Sequence, residues 1–513
     1  MREQAVETSA DSVEETTMTS QTENNDMPLL RRCDTEVASH SSSIVSTSQS
    51  LKFGQFLGAV ANLCSATLGA GILALPFALY QAGLFFGGLL LLSSAWATAS
   101  SINLLVLATD QFQLSTYEKV VEKVLGRRAR QAVEISILIF CGGTAVAYVI
   151  AVGDIMQRVE DLSLFQKRIG MVLVWLLAML PLSCLRRMKS LQCASTVGIA
   201  SIGTLLLAAT VHLVHPQNDY FSVAGQSLKP FLGPADGGWI SVLRACPIVF
   251  FAFSCQVNVC QIYDELPGRG QEKVKSMKWV TWCSVGLCGL LYTSVSLVTL
   301  MDFGKDVTPN ILSCYKLSSK DTLLHVAFSA MALAVVMAFP LNIFPARVSL
   351  IQMWASAKTR EQPMLRVDSQ DANQEAKQPL LSSHEERNDY DIHEGLELEP
   401  AEEDPLRLPI LTEESSITED EDHSTEDDPE FHLGEHMGIT LLVAASALGL
   451  ALVVPNISVV FGLLGGTTSS LLGFVVPGLL GLELDRSNAS AWILVVGGTL
   501  IGILTTGVTV YSL

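Results

Sequence analysis

Polar side chains interrupt two otherwise apolar stretches of this chain, and they are the residues whose types could do chemistry. In the later stretch, Ser254, Gln256 and Asn258 follow the aromatic residues Phe251 and Phe253. Amides and hydroxyls exposed to hydrocarbon are costly, so we expect these residues to face a protein interior or an aqueous cavity. Neither stretch carries a charged residue at its centre, which suits a zwitterionic ligand.

The earlier stretch is rich in small residues at its midpoint. Asn62 precedes the candidate binding residues Ser65, Thr67, Leu68, Gly69, Ala70, Gly71 and Ile72. One interpretation is tight packing of helices on small side chains. The other is a helix broken midway, whose freed N–H groups bind an anionic group while freed carbonyls bind a cation. The polar residues of the later stretch favour the broken helix, because matching interruptions in two halves of a chain mark a transporter site.

Eleven apolar stretches could position these residues, each long enough to cross a hydrocarbon core of about 30 Å. We predict spans at 54–80, 83–108, 131–157, 168–186, 192–214, 239–263, 279–301, 321–350, 437–455, 459–482 and 490–512. The pattern predicts an all-α polytopic membrane protein. The two stretches that contain the candidate binding residues are spans 1 and 6, which correspond to each other in a five-plus-five inverted repeat.

Charge divides the chain into four regions. The net charge is −19, yet residues 361–436 alone hold 25 acidic residues against 4 basic ones. We predict a disordered cytosolic tail at 1–52, helices 1–8 within 53–354, an acidic disordered cytosolic loop at 355–436 and helices 9–11 within 437–513. Lys and Arg are concentrated in the loops 109–130, 187–191 and 264–278, which places those loops and the N-terminus in the cytosol.

Several short motifs, in order and at matching spacing, carry a family resemblance. They are Leu68 to Leu73, Gly143 to Asp154, Phe251 to Phe253, Ile262 to Leu266, Asp302 to Gly304, Asn310 to Leu312, Tyr315, Ile343 to Arg347, Val454 to Ile457 and Phe461-Gly462. Over residues 53–354 and 437–513 the chain resembles the amino acid/auxin permeases, and among them the sodium-coupled neutral amino acid transporters and their vacuolar relatives. The resemblance implies a LeuT-like fold with an eleventh transmembrane helix outside the repeat.

The coupling ion is left open between Na⁺ and H⁺. Asn62, Ser65 and Ser329 are the candidate ion-coupling residues. Sodium-coupled members usually have Asn at the position of Ser65, and they have a Thr before the proline that corresponds to Pro340 in span 8, which this chain lacks. The titratable candidates for proton coupling are Glu134, Asp154, Asp321 and His325.

We therefore predict a secondary active transporter of small neutral L-amino acids, working by alternating access of spans 1 and 6 against a scaffold of spans 3, 4, 8 and 9. We expect N–H groups of Gly69 to Ile72 to bind the carboxylate, and carbonyls near Asn62 to Ala66 and Ser254 to Gln256 to meet the ammonium or the ion. The alternative is a non-transporting amino-acid sensor that signals through its acidic loop.

Other chemistry is not indicated. We find no catalytic constellation, P-loop or metal-ligand spacing, so we expect no enzyme activity, cofactor, metal site or nucleic-acid partner. The expected partners are small neutral amino acids, the lipid bilayer and a possible cytosolic protein that binds the 361–435 loop. The predicted location is the plasma membrane or a vacuolar or lysosomal membrane.

Overall fold

The computed structural model describes residues 53–160, 163–185, 192–214, 232–235, 238–315, 321–375 and 433–512. Every regular element within these ranges is helical, which confirms the all-α prediction. The tail 1–52 and the segment 376–432 lie outside the described residues, and their disorder stays a prediction.

Sixteen α-helices and six shorter helical turns make up the described fold. The α-helices are α1 Phe53–Thr67, α2 Leu75–Ala82, α3 Leu84–Phe112, α4 Tyr117–Leu125, α5 Arg127–Glu160, α6 Leu164–Val174, α7 Leu180–Ser183, α8 Gln192–Val214, α9 Trp239–Ala252, α10 Gln256–Asp264, α11 Gly270–Phe303, α12 Thr322–Glu375, α13 Leu433–Val453, α14 Ile457–Leu464, α15 Val476–Leu484 and α16 Ala489–Tyr511. The 3₁₀ turns are Ala70–Leu73, Gly304–Asp306 and Ile311–Ser313, and the π turns are Trp175–Met179, Gly465–Ser469 and Leu471–Val475.

Nine helical segments of the described chain are long and apolar enough to cross a membrane. They coincide with predicted spans 2 to 8, 10 and 11. Predicted span 9 corresponds to the shorter apolar helix Met437–Val453, and predicted span 1 to the interrupted pair α1 and α2. The chain is a multi-pass membrane protein, and the count of eleven crossings stays a prediction.

The end of α12 differs from the predicted boundary. The helix continues to Glu375, although the sequence predicted a disordered segment from residue 355. The added stretch contains several strong helix formers, among them Ala, Lys, Arg, Glu and Gln, which extend a helix that is already nucleated.

The helices pack in two groups around the interrupted pairs. One group joins α1 and α3 to α11, and α2 to α9. The other joins α5 to α12, α12 to α8, and α13 to both α5 and α12. The described helices therefore fall into two packed groups, and both interrupted spans belong to the first.

Two breaks lie where the sequence predicted them. The first separates α1 from α2, with Leu68 and Gly69 followed by the 3₁₀ turn Ala70–Leu73. Pro76 is the second residue of α2, a position whose N–H has no partner within the helix, so proline costs no helical hydrogen bond there. The second break, Phe253 to Cys255, separates α9 from α10. The interruptions therefore occupy the first and sixth predicted spans, as the five-plus-five arrangement requires.

Candidate functional site

A cavity of about 320 Å³ lies between the two breaks. Most of the predicted site residues line it: Asn62, Ser65, Thr67, Leu68, Gly69, Ala70, Gly71, Phe251, Ser254, Gln256 and Asn258. The rest of the wall comes mainly from α5, α8 and α12, which belong to the opposite helix group. The cavity is thus enclosed by both groups and centred on the broken helices.

Three predicted site residues lie elsewhere. Ile72 and Phe253 are buried and absent from the cavity wall, and the Phe253 ring packs edge-on against Tyr292 with centroids 5.2 Å apart. Ser329 is exposed on α12. Residues of α12 that face the cavity include Met331, and positions two apart on a helix do not share a face. The structure therefore does not gather Ser329 with Asn62 and Ser65, and its expected role as an ion ligand has no geometric support.

Backbone N–H groups are the main donors at the first break. Ala70 and Gly71 begin a 3₁₀ turn, so their N–H groups have no partner within it, and Gly69 caps the turn without a side-chain hydrogen bond. The Tyr148 hydroxyl lies against the Ala70 N–H and the side chain of Asn342. A Cβ on Gly69 would stand 3.4 Å from that hydroxyl, so Gly69 itself leaves the space beside these donors open.

The polar side chains of the second break bond to nearby backbone and to α3. Ser254 Oγ donates to the Phe250 carbonyl at 2.8 Å. Gln256 is buried, its Oε1 accepts from the Cys255 N–H at 3.0 Å, and its Nε2 donates to Ser101 Oγ at 3.4 Å. Gln256 therefore fixes the start of α10 against α3, while Asn258, two residues further on, is exposed in the cavity wall.

A tyrosine from α11 connects the two breaks. The Tyr292 hydroxyl lies 2.8 Å from the Thr67 carbonyl and 2.7 Å from the Ala252 carbonyl. Thr67 ends α1 and Ala252 ends α9, so neither oxygen has a partner within its own helix. The Thr67 oxygen also accepts from the Gly69 N–H at 2.9 Å. The Tyr292 side chain is completely buried.

Aromatic rings close one end of the cavity. Phe251 stacks on Phe461 with ring centroids 4.4 Å apart and meets Phe140 at 5.5 Å. At the other end the wall runs down α10 to Gln261 and Glu265, both exposed. The cavity thus opens on the side where α1 begins and α10 ends, which is the side predicted to be cytosolic.

Polar contacts tie the helices together on the closed side. Lys167 Nζ lies 2.6 Å from Asp154 Oδ1, and Asn310 Nδ2 donates to Asp154 Oδ2 at 2.8 Å. Because both carboxylate oxygens of Asp154 are engaged, this residue suits a structural closure better than proton carriage.

The α12 wall is mostly apolar. It presents Met331, Ala334, Val335 and Ala338 to the cavity, and Asn342 is its one polar side chain among the described wall residues of this helix. Na⁺ is a hard cation that requires several oxygen ligands. This wall offers few of them opposite α1.

Sequence reasoning missed Tyr148, Tyr292 and Asn342 as members of the site. Tyr148 belongs to a motif that carried the family resemblance, and its hydroxyl inside an apolar stretch was a usable signal. Tyr292 lacked a distinguishing signal, because a tyrosine in a long apolar helix is commonly a packing residue.

The fold and the cavity define a polytopic membrane protein with a solute-sized site between two broken helices. The family model for "Transmembrane amino acid transporter protein" matches residues 54–510. Vacuolar amino acid transporter 6 of Saccharomyces cerevisiae is 26% identical over 83% of this chain and 89% of its own length. Sodium-coupled neutral amino acid transporter 7 of Danio rerio is 25% identical over 60% of this chain and 66% of its own length. The solved structure of a Na⁺-coupled sialic acid symporter covers 88% of this chain and 89% of its own, with 10% identity and a TM-score of 0.46.

The family match covers nearly all of the described chain. The protein belongs to the transmembrane amino acid transporter family, which is a family of transporters and not of enzymes. This confirms the resemblance inferred from the motifs of the sequence.

Proposed function

We propose that this protein is a secondary active transporter of small neutral L-amino acids that works by alternating access. The observation that carries the proposal is that the start of one helical turn and the C-terminal ends of two helices meet at the same cavity. The 3₁₀ turn at Ala70 offers N–H groups to a carboxylate, while the C-terminal ends of α1 and α9 offer carbonyls to the ammonium side.

The charge and size of the cavity support a neutral amino acid. Glu265, at the open end, is the only Asp, Glu, Lys, Arg or His among the described wall residues. A substrate with a charged side chain would find no opposite charge near the breaks. The volume of about 320 Å³ is at the lower end of the range of about 300–1,000 Å³ typical of small-molecule sites.

Protons are the coupling ion that the site supports better, with Glu134 as the candidate carrier. Its side chain is 1% exposed, Oε1 lies 2.7 Å from Arg130 Nε, and Oε2 has no hydrogen-bond partner. Glu134 lies seven residues before Cys141 of the cavity wall, two turns or about 10 Å along the same face of α5. A buried carboxylate oxygen without a hydrogen-bond partner is costly, so we take Glu134 to have a functional role.

Neighbouring acids add to the effect. Glu122 Oε2 also bonds Arg130, at 2.5 Å, so one guanidinium serves two carboxylates. Burial and the nearby charge of Glu134 raise the pKa of the Glu118 carboxyl. Glu118, Glu122 and Glu134 thus form one acidic cluster around Arg130.

The sensor is the second candidate function, and the relatives reported above are named as transporters. Purified protein in liposomes separates the two functions, because a sensor binds labelled amino acid without moving it across the membrane. Imposing Na⁺ and pH gradients separately identifies the ion. Accumulation driven by pH alone supports the proposal, and binding without transport contradicts it.

A further inference from the structure

Two negative helix ends meet in the middle of this protein. Thr67 is the last residue of α1 and Ala252 the last residue of α9, and a C-terminal helix end carries a partial negative charge. A Cβ on Gly71 would lie only 2.7 Å from the Ala252 Cα, so the two interrupted segments touch through their backbones. Such a junction needs positive charge or hydrogen-bond donors to be stable within a membrane.

Neutral donors supply that need here. The Tyr292 hydroxyl reaches both carbonyls, at 2.8 Å and 2.7 Å, and its single proton is shared between them. The Thr67 side chain interacts with the thiols of Cys255 and Cys288. The residues named in these contacts carry hydroxyl or thiol groups, which are uncharged donors.

We infer that the Tyr292 hydroxyl takes the place of a bound cation between the two breaks. It holds the ends of α1 and α9 at the spacing that the substrate site requires, and no ion is needed at that point. Tyr292 is a positioning residue, since it acts through the two carbonyls. The inference rests on the proposed function in assigning these helix ends to the ammonium side of the substrate.

Removing only this hydroxyl tests the inference. We expect Tyr292→Phe to keep the ring that packs on Phe253. The Ala252 carbonyl then loses its hydroxyl donor, and the Thr67 carbonyl keeps only the Gly69 N–H, 2.9 Å away. In choline buffer the affinity of the variant for a neutral amino acid should fall about tenfold. Replacing choline with sodium at about 100 mM, an ordinary ionic strength, should recover part of that affinity and raise the unfolding temperature of the variant. The same change of buffer should do neither in the unaltered protein.

Ser296→Ala is the matched control. Ser296 lies one turn from Tyr292 on α11, is completely buried and has no partner for its hydroxyl. We expect this variant to bind amino acid as the unaltered protein does, in either buffer.

Each outcome decides the inference. Unchanged affinity in Tyr292→Phe, or a loss that Na⁺, K⁺ and Li⁺ all fail to recover, overturns it. If Tyr292→Phe can be purified in Na⁺, K⁺ or Li⁺ buffer but not in choline buffer, the inference is supported, and equal failure in choline and Na⁺ overturns it. The unfolding temperature is read without substrate, so failure of the unaltered protein to transport would contradict the proposed function alone.

Discussion

At the scale of single residues, the two glycines of the first break have different environments. A Cβ on Gly69 would meet only the Tyr148 hydroxyl, at 3.4 Å, which is ordinary contact. A Cβ on Gly71 would lie 2.7 Å from the Ala252 backbone, which is closer than two nonbonded carbon atoms can approach. One position therefore borders open space in the site, and the other is the contact between the breaks.

This difference predicts separable effects of two identical substitutions. Gly71→Ala should lower the unfolding temperature and abolish uptake, because overpacking at a backbone contact costs about 1–3 kcal/mol. Gly69→Ala should fold normally and raise the KM for uptake, because the new methyl group intrudes beside the N–H donors. Thermal unfolding in detergent and uptake in liposomes measure the two effects. Equal stability of both variants would contradict the contact between the breaks.

A second residue-scale prediction concerns Glu134. We expect Glu134→Gln to lose accumulation driven by a pH gradient while still exchanging internal for external amino acid, because exchange needs no net proton movement. One pH unit can drive about tenfold accumulation at one proton per substrate, and the variant should show none.

The control for this prediction is Glu122→Gln. Glu122 bonds the same Arg130 but its side chain is 38% exposed, so neutralising it should leave proton-driven accumulation intact. If both variants accumulate substrate normally, Glu134 does not carry the coupling proton.

Residue types predicted those members of the site that are unusual in a membrane segment, either because they are polar or because they are small. Ser254, Asn258 and the Gly69 to Gly71 run were found in this way, and the structure places them around one cavity. Ser329 was misplaced because composition identifies a hydroxyl but gives no helix face. Tyr292 was missed because its role depends on two carbonyls about 225 and 40 residues away, a relation that only the fold creates.

At the scale of helices, the second break has a different origin from the first. Neither glycine nor proline occurs between Phe253 and Cys255, so local sequence alone does not end α9 there. Tertiary contacts hold the break open, through Tyr292 at the Ala252 carbonyl and through Gln256 bonded to Ser101. Its position could be predicted only from the polar residues it exposes.

The neighbouring helix α14 and the π turn that follows it approach α9 unusually closely. A Cβ on Gly465 would stand 1.7 Å from the Pro247 carbonyl oxygen. We expect Gly465→Ala to force these segments apart and to destabilise the protein by about 1–3 kcal/mol, seen as a lower unfolding temperature.

Gly497→Ala is the comparison, because a Cβ there would meet nothing within 4 Å and alanine favours a helix. This variant should be as stable as the unaltered protein or slightly more so. Unchanged stability in Gly465→Ala would show that the close packing of this π turn on α9 is not required.

At the scale of the whole molecule, one closed end and one open end define a single state of the transport cycle. The stacked rings of Phe251 and Phe461 close the cavity on one side, and exposed Gln261 and Glu265 mark the opening on the other. Alternating access requires a second state in which the helix group of α1, α3, α9 and α11 has moved against that of α5, α8, α12 and α13.

The most direct test of the account is exchange of a labelled neutral amino acid across liposomes that contain the purified protein. Exchange measures passage through the site without assuming a coupling ion. The account predicts that unlabelled internal substrate drives transient accumulation of external label, and that Gly71→Ala abolishes it. Specific binding of the amino acid with no exchange in the unaltered protein would contradict transport through the cavity between the two broken helices.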